Sequence, residues 1–270
     1  MATCTDDSDP KPAQRDNILG ATALVTGASR GLGAAIAQRL ARDGYTVVVN
    51  YRSEAAAAAQ VVDAITTAGG HAVAMQADVS SEASVVALFE TLDAAGLPPL
   101  TALVNNAGII GKGGRHLDTT DQLAIASTSD FDAVMATNVL GPLICCREAA
   151  KRMKKGAAMV NVGSISTTTG TPLLYAMSKG ALLSLQRGLV ATLGTQGIRI
   201  NTVSPGLVVT DMTTAFFADA AVRAAVQTQY PLGRFGTPED VAGAVAYLLS
   251  DDARWTSGTD LRVAGGVYPQ

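Results

Sequence analysis

Apolar residues fall along this chain in short continuous runs, and longer stretches of helical period separate them. Thr46-Val-Val-Val-Asn-Tyr51 is typical: β-branched, without polar alternation, and therefore a strand covered on both faces. The same reading places strands at 21–26, 46–51, 72–76, 100–104, 157–162, 198–203 and 260–263. Apolar positions spaced three and four apart predict helices at 32–43, 54–68, 81–95, 130–154, 174–195 and 238–250. Gly69-Gly70 and the stretch from Gly194 to Gly197 mark helix ends. The alanines from Ala55 to Ala59 serve helix propensity and close packing. Strict alternation of strand and helix predicts one α/β domain over 21–270, a seven-stranded parallel sheet with helices on both faces.

Such a sheet binds ligands at the carboxyl ends of its strands, and the first strand ends in glycines. Ala21-Thr-Ala-Leu-Val-Thr26 runs into Gly27-Ala-Ser-Arg-Gly31-Leu-Gly33, and a helical period carrying Ile36, Leu40 and Ala41 follows. Strand, glycine turn and helix together form the dinucleotide context of a Rossmann-type, doubly wound fold. Gly27 permits the tight turn, Gly31 admits a pyrophosphate against the backbone, and Gly33 lets helix and strand pack closely. The helix N-terminus offers unpaired N–H groups and a positive dipole end. Where NAD binders usually carry an acid after the second strand, this chain has Tyr51-Arg52-Ser53, and Arg30 sits in the glycine turn. Two arginines near a ribose favour a 2′-phosphate, hence NADP(H) over NAD(H).

Tyr175 and Lys179 stand four apart, on one helix face if the segment is helical, and Ser164 lies upstream. A free tyrosine holds its proton to pH ~10, so use at neutrality needs about 4 kcal/mol of differential stabilisation. A nearby ammonium favours the phenolate, and a cationic nicotinamide would add to it.

Composition narrows the alternatives. A formal net charge of −3 without a basic block argues against nucleic acid as a partner. No apolar run approaches the ~18 residues of a membrane span. Residues 1–20, with Asp6, Asp7, Asp9, Pro10 and Pro12, predict a disordered tail without signal or transit character, and so a cytoplasmic protein. Cys4, Cys145 and Cys146 suit free thiols rather than a disulfide framework, and His71 and His116 alone suggest no metal site. Gly163-Ser-Ile-Ser-Thr167 is not the nucleophile elbow of a serine hydrolase.

From about residue 20 onward the chain resembles the short-chain dehydrogenase/reductase family, in particular its 3-oxoacyl-reductase and glucose-dehydrogenase-like members. The resemblance rests on Thr26-Gly-Ala-Ser-Arg-Gly-Leu-Gly33, Asp78-Val79, Asn105-Asn-Ala-Gly108, Asn138, Ser164, the Tyr175/Lys179 pair, and Pro205-Gly206 with Thr210. It implies Asn138, Ser164, Tyr175 and Lys179 as the catalytic set. Tyr175 would exchange the substrate proton, and Ser164 would bond the substrate oxygen. Lys179 would lower the tyrosine pKa and bond the nicotinamide ribose, and Asn138 would hold a water leading from Lys179 to solvent. For the cofactor it implies Gly27, Ser29, Arg30, Gly31, Leu32, Gly33, Tyr51, Arg52, Ser53, Asp78, Val79, Asn105, Ala107, Gly108, Tyr175, Lys179, Pro205, Gly206, Val208 and Thr210. The expected activity is NADP(H)-dependent hydride transfer to a small-molecule carbonyl or from a secondary alcohol, as a ketone reductase or a 3-oxoacyl thioester reductase. The rival is a non-catalytic dinucleotide-binding sensor or scaffold. A homotetramer is the family expectation.

Three departures qualify the resemblance. The loop from Ser164 to Tyr175 is shorter than in most relatives, the segment from Gly108 to Asn138 is longer, with its excess in 111–129, and Ala264 replaces an acid often found before Gly265-Gly266. The stretch 211–230, with Met212, Phe216, Phe217 and Val222, is either a substrate lid or an ordinary amphipathic helix, and its apolar residues suggest a substrate with hydrophobic bulk.

Overall fold

The computed structural model describes residues 20–111, 122–124, 126–214 and 219–268. The tail expected over 1–20, apart from Gly20, and most of the insertion at 111–129 lie outside the described residues, as do 215–218 of the expected lid.

Seven parallel strands form one sheet: β1 (Thr22–Val25), β2 (Thr46–Tyr51), β3 (His71–Gln76), β4 (Leu100–Asn105), β5 (Ala158–Val162), β6 (Arg199–Pro205) and β7 (Asp260–Val263), in the order β3-β2-β1-β4-β5-β6-β7. The helices are α1 (Gly31–Arg42), α2 (Ala55–Thr67), α3 (Glu82–Ala94), α4 (Thr128–Met135), α5 (Gly141–Ala150), α6 (Ser166–Thr169), α7 (Leu173–Thr195), α8 (Ala220–Gln227) and α9 (Pro238–Leu249). The chain winds outward in one direction from β1 to β3 and in the other from β4 to β7. The cleft therefore opens beyond the carboxyl ends of β1 and β4.

Period-two packing splits each strand between two cores. Val47 and Val49 of β2, Ala102 and Val104 of β4, and Val160 of β5 face the layer of α1, α2 and α9, where Ile36, Leu40, Val245 and Leu248 lie. Leu24, Val48, Leu103 and Met159 face the opposite layer, against Leu88, Phe89, Ile144 and Leu193. In β1, β2, β4 and β5 neither face is exposed to water, which is why these strands read as unbroken apolar runs, whereas the edge strand β3 exposes His71, Ala74 and Gln76.

One expected helix comes out differently. In place of a single helix over 130–154, α4 and α5 are joined by a π-helical turn, Ala136–Leu140, and α5 stops at Ala150. The extra residue in that turn surrounds Asn138, whose side chain bonds outside its own helix; such π turns cluster at functional positions. Cys145 and Cys146 are free, buried thiols in α5, both pushed up in pKa chiefly by burial.

Candidate active site

The glycine turn is built to receive an anion. Gly27 and Gly31 have φ of 61° and 55°, left-handed values that side chains resist. A Cβ on Gly27 would lie 2.9 Å from Ala107 Cα, and one on Gly33 would overlap Gly27 O and stand 2.5 Å from Asn106 Nδ2. The N-cap of α1, Arg30, provides no side-chain cap, and the first turn of the helix holds no acid. Its leading N–H groups and dipole end are therefore open toward the cleft. Ser29 and Leu32 are partly exposed in the same turn.

Polar residues hold this turn in place, among them Asn50, which sequence reasoning passed over. Asn50 Oδ1 accepts from Gly27 N (3.2 Å), while Asn50 Nδ2 donates to Met75 O and Ala77 O. Asn106 Nδ2 donates to Thr26 O and Gly27 O, and Thr26 Oγ1 accepts from the amides of Asn106 and Ala107. The signal for Asn50 was present: a lone amide closing the valine run of β2 and 1% exposed. A buried amide needs partners, and these are backbone groups that otherwise would lack them.

Around this turn, Tyr51 is half-buried, whereas Arg30, Arg52 and Ser53 are exposed. Among the described residues, neither arginine is engaged in an ion pair. Asp78 Oδ1 accepts from the amide and hydroxyl of Ser80, and Val79 is buried against Gly141. Asn105 turns its side chain into the sheet, where Nδ2 donates to Asn161 Oδ1 (2.9 Å) and Cys146 Sγ (3.3 Å) and ties β4 to β5 and α5. Across the cleft, a Cβ on Gly31 would lie 3.8 Å from Thr210, so Thr210, at the end of the segment that carries Pro205, Gly206 and Val208, faces the glycine turn.

The four expected catalytic residues meet at the end of this cleft. Ser164 lies beside Tyr175, whose phenol it acts on, and its Oγ accepts from Ser166 N at 3.1 Å. Lys179 Nζ stands 5.4 Å from the Tyr175 ring centroid and donates to Val162 O at 2.7 Å. The amide of Asn138 is matched in both directions to Ile109, accepting from its N–H and donating to its carbonyl, each at 2.8 Å. Asn138 Nδ2 also donates to Ser178 Oγ (2.9 Å), which donates in turn to Tyr175 O (2.7 Å). A Cβ on Gly108 would lie 3.4 Å from both Lys179 Nζ and Asn138 Oδ1. Ser178, fully buried between Tyr175 and Lys179, was another residue the sequence did not single out.

Electrostatics at this cluster differ from the simple expectation. Burial pushes the Tyr175 phenol up to about 12, with the neighbouring Ser164 side chain opposing it. Burial also holds the Lys179 ammonium down at about 8. Desolvation outweighs the neighbouring charge because Lys179 directs its bond at a carbonyl, not at the phenol oxygen. The protein groups alone thus keep Tyr175 a proton donor.

From 27 to 268 the chain matches the family model described as enoyl-(acyl carrier protein) reductase. It belongs to the short-chain dehydrogenase/reductase family. It is 43% identical over 254 residues to the uncharacterized oxidoreductase YgfF of Escherichia coli strain K12, covering 91% of this chain and 99% of that protein. It is 38% identical to 3beta-hydroxysteroid dehydrogenase 1 of Eggerthella lenta, covering 94% of this chain and 97% of that one. Among solved structures, the angucycline C-6 ketoreductase LanV with bound NADP superposes with a TM-score of 0.83 at 36% identity, covering 93% of this chain and 96% of LanV. As a short-chain dehydrogenase/reductase the chain is an oxidoreductase, and its open helix terminus and glycine cradle suit a dinucleotide. Among the described residues, no helix of this short-chain dehydrogenase/reductase is long and apolar enough to cross a membrane.

Proposed function

We propose that the chain is an NADP(H)-dependent ketone reductase. The observation that carries this reading is the meeting of Ser164, Tyr175, Lys179, Asn138 and Gly108 at the far end of a cleft whose near end is the glycine turn. The bound nicotinamide would supply the hydride that reduces the carbonyl carbon. The protein's residues supply the rest. Ser164, already oriented by Ser166 N–H, has its hydroxyl proton to offer a carbonyl oxygen. Tyr175, protonated across the neutral range, gives that oxygen a proton as the alcohol forms. Lys179 then lies close enough to favour the phenolate left behind. Asn138 locks the Ile109 backbone beside Lys179 and leaves the π turn to open a path for a water toward the ammonium.

Preference for NADP(H) rests on Arg30 and Arg52, which are exposed and unpaired at the two edges of the adenosine end. NADP bound to LanV supports the same choice. A lid role for 211–230 is supported by α8, none of whose residues is fully buried, with Val226 and the buried Tyr230 anchoring the far end of the segment. A cytoplasmic homotetramer completes the reading. Leu140, Leu143 and Met177 expose 39–48% of their surface along α5, the turn before it, and α7, and Trp255 beside the edge strand β7 is 98% exposed.

The deciding experiment is a panel of aliphatic, cyclic and polycyclic ketones, aldehydes and a 3-oxoacyl thioester, followed by loss of NADPH absorbance. Turnover of one ketone class supports the reading. NADPH binding without turnover of any carbonyl would favour a sensor. Sedimentation of the same sample reports the assembly.

A further inference from the structure

The stretch from Pro205 to Thr210 has every amide but one committed. Pro205 O accepts from Ile165 N, Gly206 N donates to Val263 O, Leu207 O accepts from Gly236 N, and Val209 N donates to Gly236 O. Val208 O accepts from Thr213 Oγ1 at 2.7 Å. Val208 pairs with Gly236 as an isolated parallel bridge, a geometry that turns its own N–H away from Gly236. Among the described residues that N–H has no partner. The two remaining amides donate to side chains: Thr210 N to the nearby Thr213 Oγ1 at 2.9 Å, and Leu207 N to the Tyr230 hydroxyl, 23 residues away, at 3.0 Å.

Tyr230 comes from the chain just past α8 and is 7% exposed. Its ring stands edge-on to Phe235, with centroids 5.4 Å apart at 72°, and packs with Ile165 and Val267. A Cβ on Gly206 would lie 3.3 Å from Tyr230 Cε1. The phenol is therefore a fixed strut, and Leu207 is pinned at both ends, its N–H by Tyr230 and its carbonyl by Gly236. The Leu207 carbonyl and the Val208 N–H share one peptide plane, held by Gly236, and Tyr230 holds the adjoining plane through the Leu207 N–H, so the two bonds together restrict the rotation about Leu207 that would swing the open N–H. We propose that Tyr230 is a positioning residue that aims the Val208 N–H at the nicotinamide carboxamide. This rests on the cofactor reading above, which the test separates from the role of Tyr230.

Tyr230→Phe keeps the ring and its contact with Phe235 while removing the acceptor of Leu207 N–H. Three quantities are measured on the full-length chain: NADPH affinity, affinity for adenosine 2′,5′-bisphosphate, and the thermal midpoint. NADPH binding should weaken about tenfold, the scale set by an unmade buried hydrogen bond. Adenosine 2′,5′-bisphosphate lacks the nicotinamide half, and its affinity should stay within about twofold of wild type. Phe235→Leu disturbs packing but leaves the phenol oxygen in place, and should keep the wild-type ratio of the two affinities. Equal weakening of both ligands in Tyr230→Phe, or no change in either, overturns the assignment. If the wild-type chain binds neither ligand, the cofactor reading itself falls and this inference with it.

Discussion

Lys179 stands 5.4 Å from the centre of the Tyr175 ring, yet its 2.7 Å hydrogen bond goes to the carbonyl of Val162. The ammonium is thereby a fixed charge behind the phenol, not a direct partner of its oxygen. Removing the phenol oxygen should therefore leave the lysine and the cradle undisturbed. Tyr175→Phe is expected to lower turnover by about 10²–10⁴-fold, the range for loss of a positioned acid. NADPH affinity, read by fluorescence titration, should change little. Substantial turnover in this variant would mean another group delivers the proton.

The depressed pKa of Lys179 gives a pH dependence with a definite sign. Its charge is lost as pH rises through about 8, well below the phenol at about 12. Carbonyl reduction should be flat below that point and fall by about tenfold per pH unit above it. Stability should move the other way. Between pH 8 and the ordinary lysine value of 10.5 the unfolded chain binds more protons, so folding gains as pH rises across this window. The burial penalty present below it is about 3 kcal/mol. Lys179→Met should accordingly lose turnover at pH 7 while its thermal midpoint holds or rises, even though Val162 O loses a donor. A midpoint well below wild type would show that the lysine stabilises the fold.

A carboxylate far from the cleft shows the opposite sign. Glu148 in α5 has 4% of its side chain exposed and accepts from Lys151, Arg147 and Arg152. These cations, Lys151 foremost, hold its pKa down at about 2, against a smaller opposing effect of burial. Its contribution to stability is complete above pH 4.5 and disappears as pH falls toward 2. Glu148→Gln should cost about 2 kcal/mol at pH 7. The acid limb of its unfolding curve, followed by circular dichroism, should be shallower than that of wild type. An unchanged acid limb would assign the acid sensitivity to other carboxylates.

What was legible in the sequence follows from burial on both faces of the sheet. Strands such as β2 have no polar alternation to confuse them, so β1 to β7 were found within one or two residues. The glycine turn and the Tyr175/Lys179 spacing were equally plain, because each requires particular residues at fixed local offsets. The π turn at Ala136–Leu140 was not, since its cause is a long-range match between the Asn138 amide and the Ile109 backbone. Asn50 and Ser178 escaped notice for the same reason: each has a partner in another element. The electrostatic state of Tyr175 was also hidden, because desolvation depends on everything packed around the phenol, whereas the helical spacing reports only one neighbour.

Arg30 and Arg52 allow the cofactor preference to be tested separately from the chemistry. Arg30 caps the open end of α1 by its backbone alone, and Arg52 follows β2, its carbonyl accepting from Gln76 Nε2 at 2.8 Å. That bond fixes the Arg52 backbone and leaves its guanidinium exposed. A 2′-phosphate would meet one or both cations, each charged hydrogen bond contributing about 1.5–3 kcal/mol. NADH, lacking that phosphate, would meet neither. Arg52→Ala and Arg30→Ala should therefore weaken NADPH by about 10–100-fold while changing NADH by less than about threefold. The loss should shrink at high salt, because both side chains are exposed and screened. Equal losses for the two cofactors would count against a phosphate contact and return the choice between NADP(H) and NAD(H) to Tyr51 and Ser53.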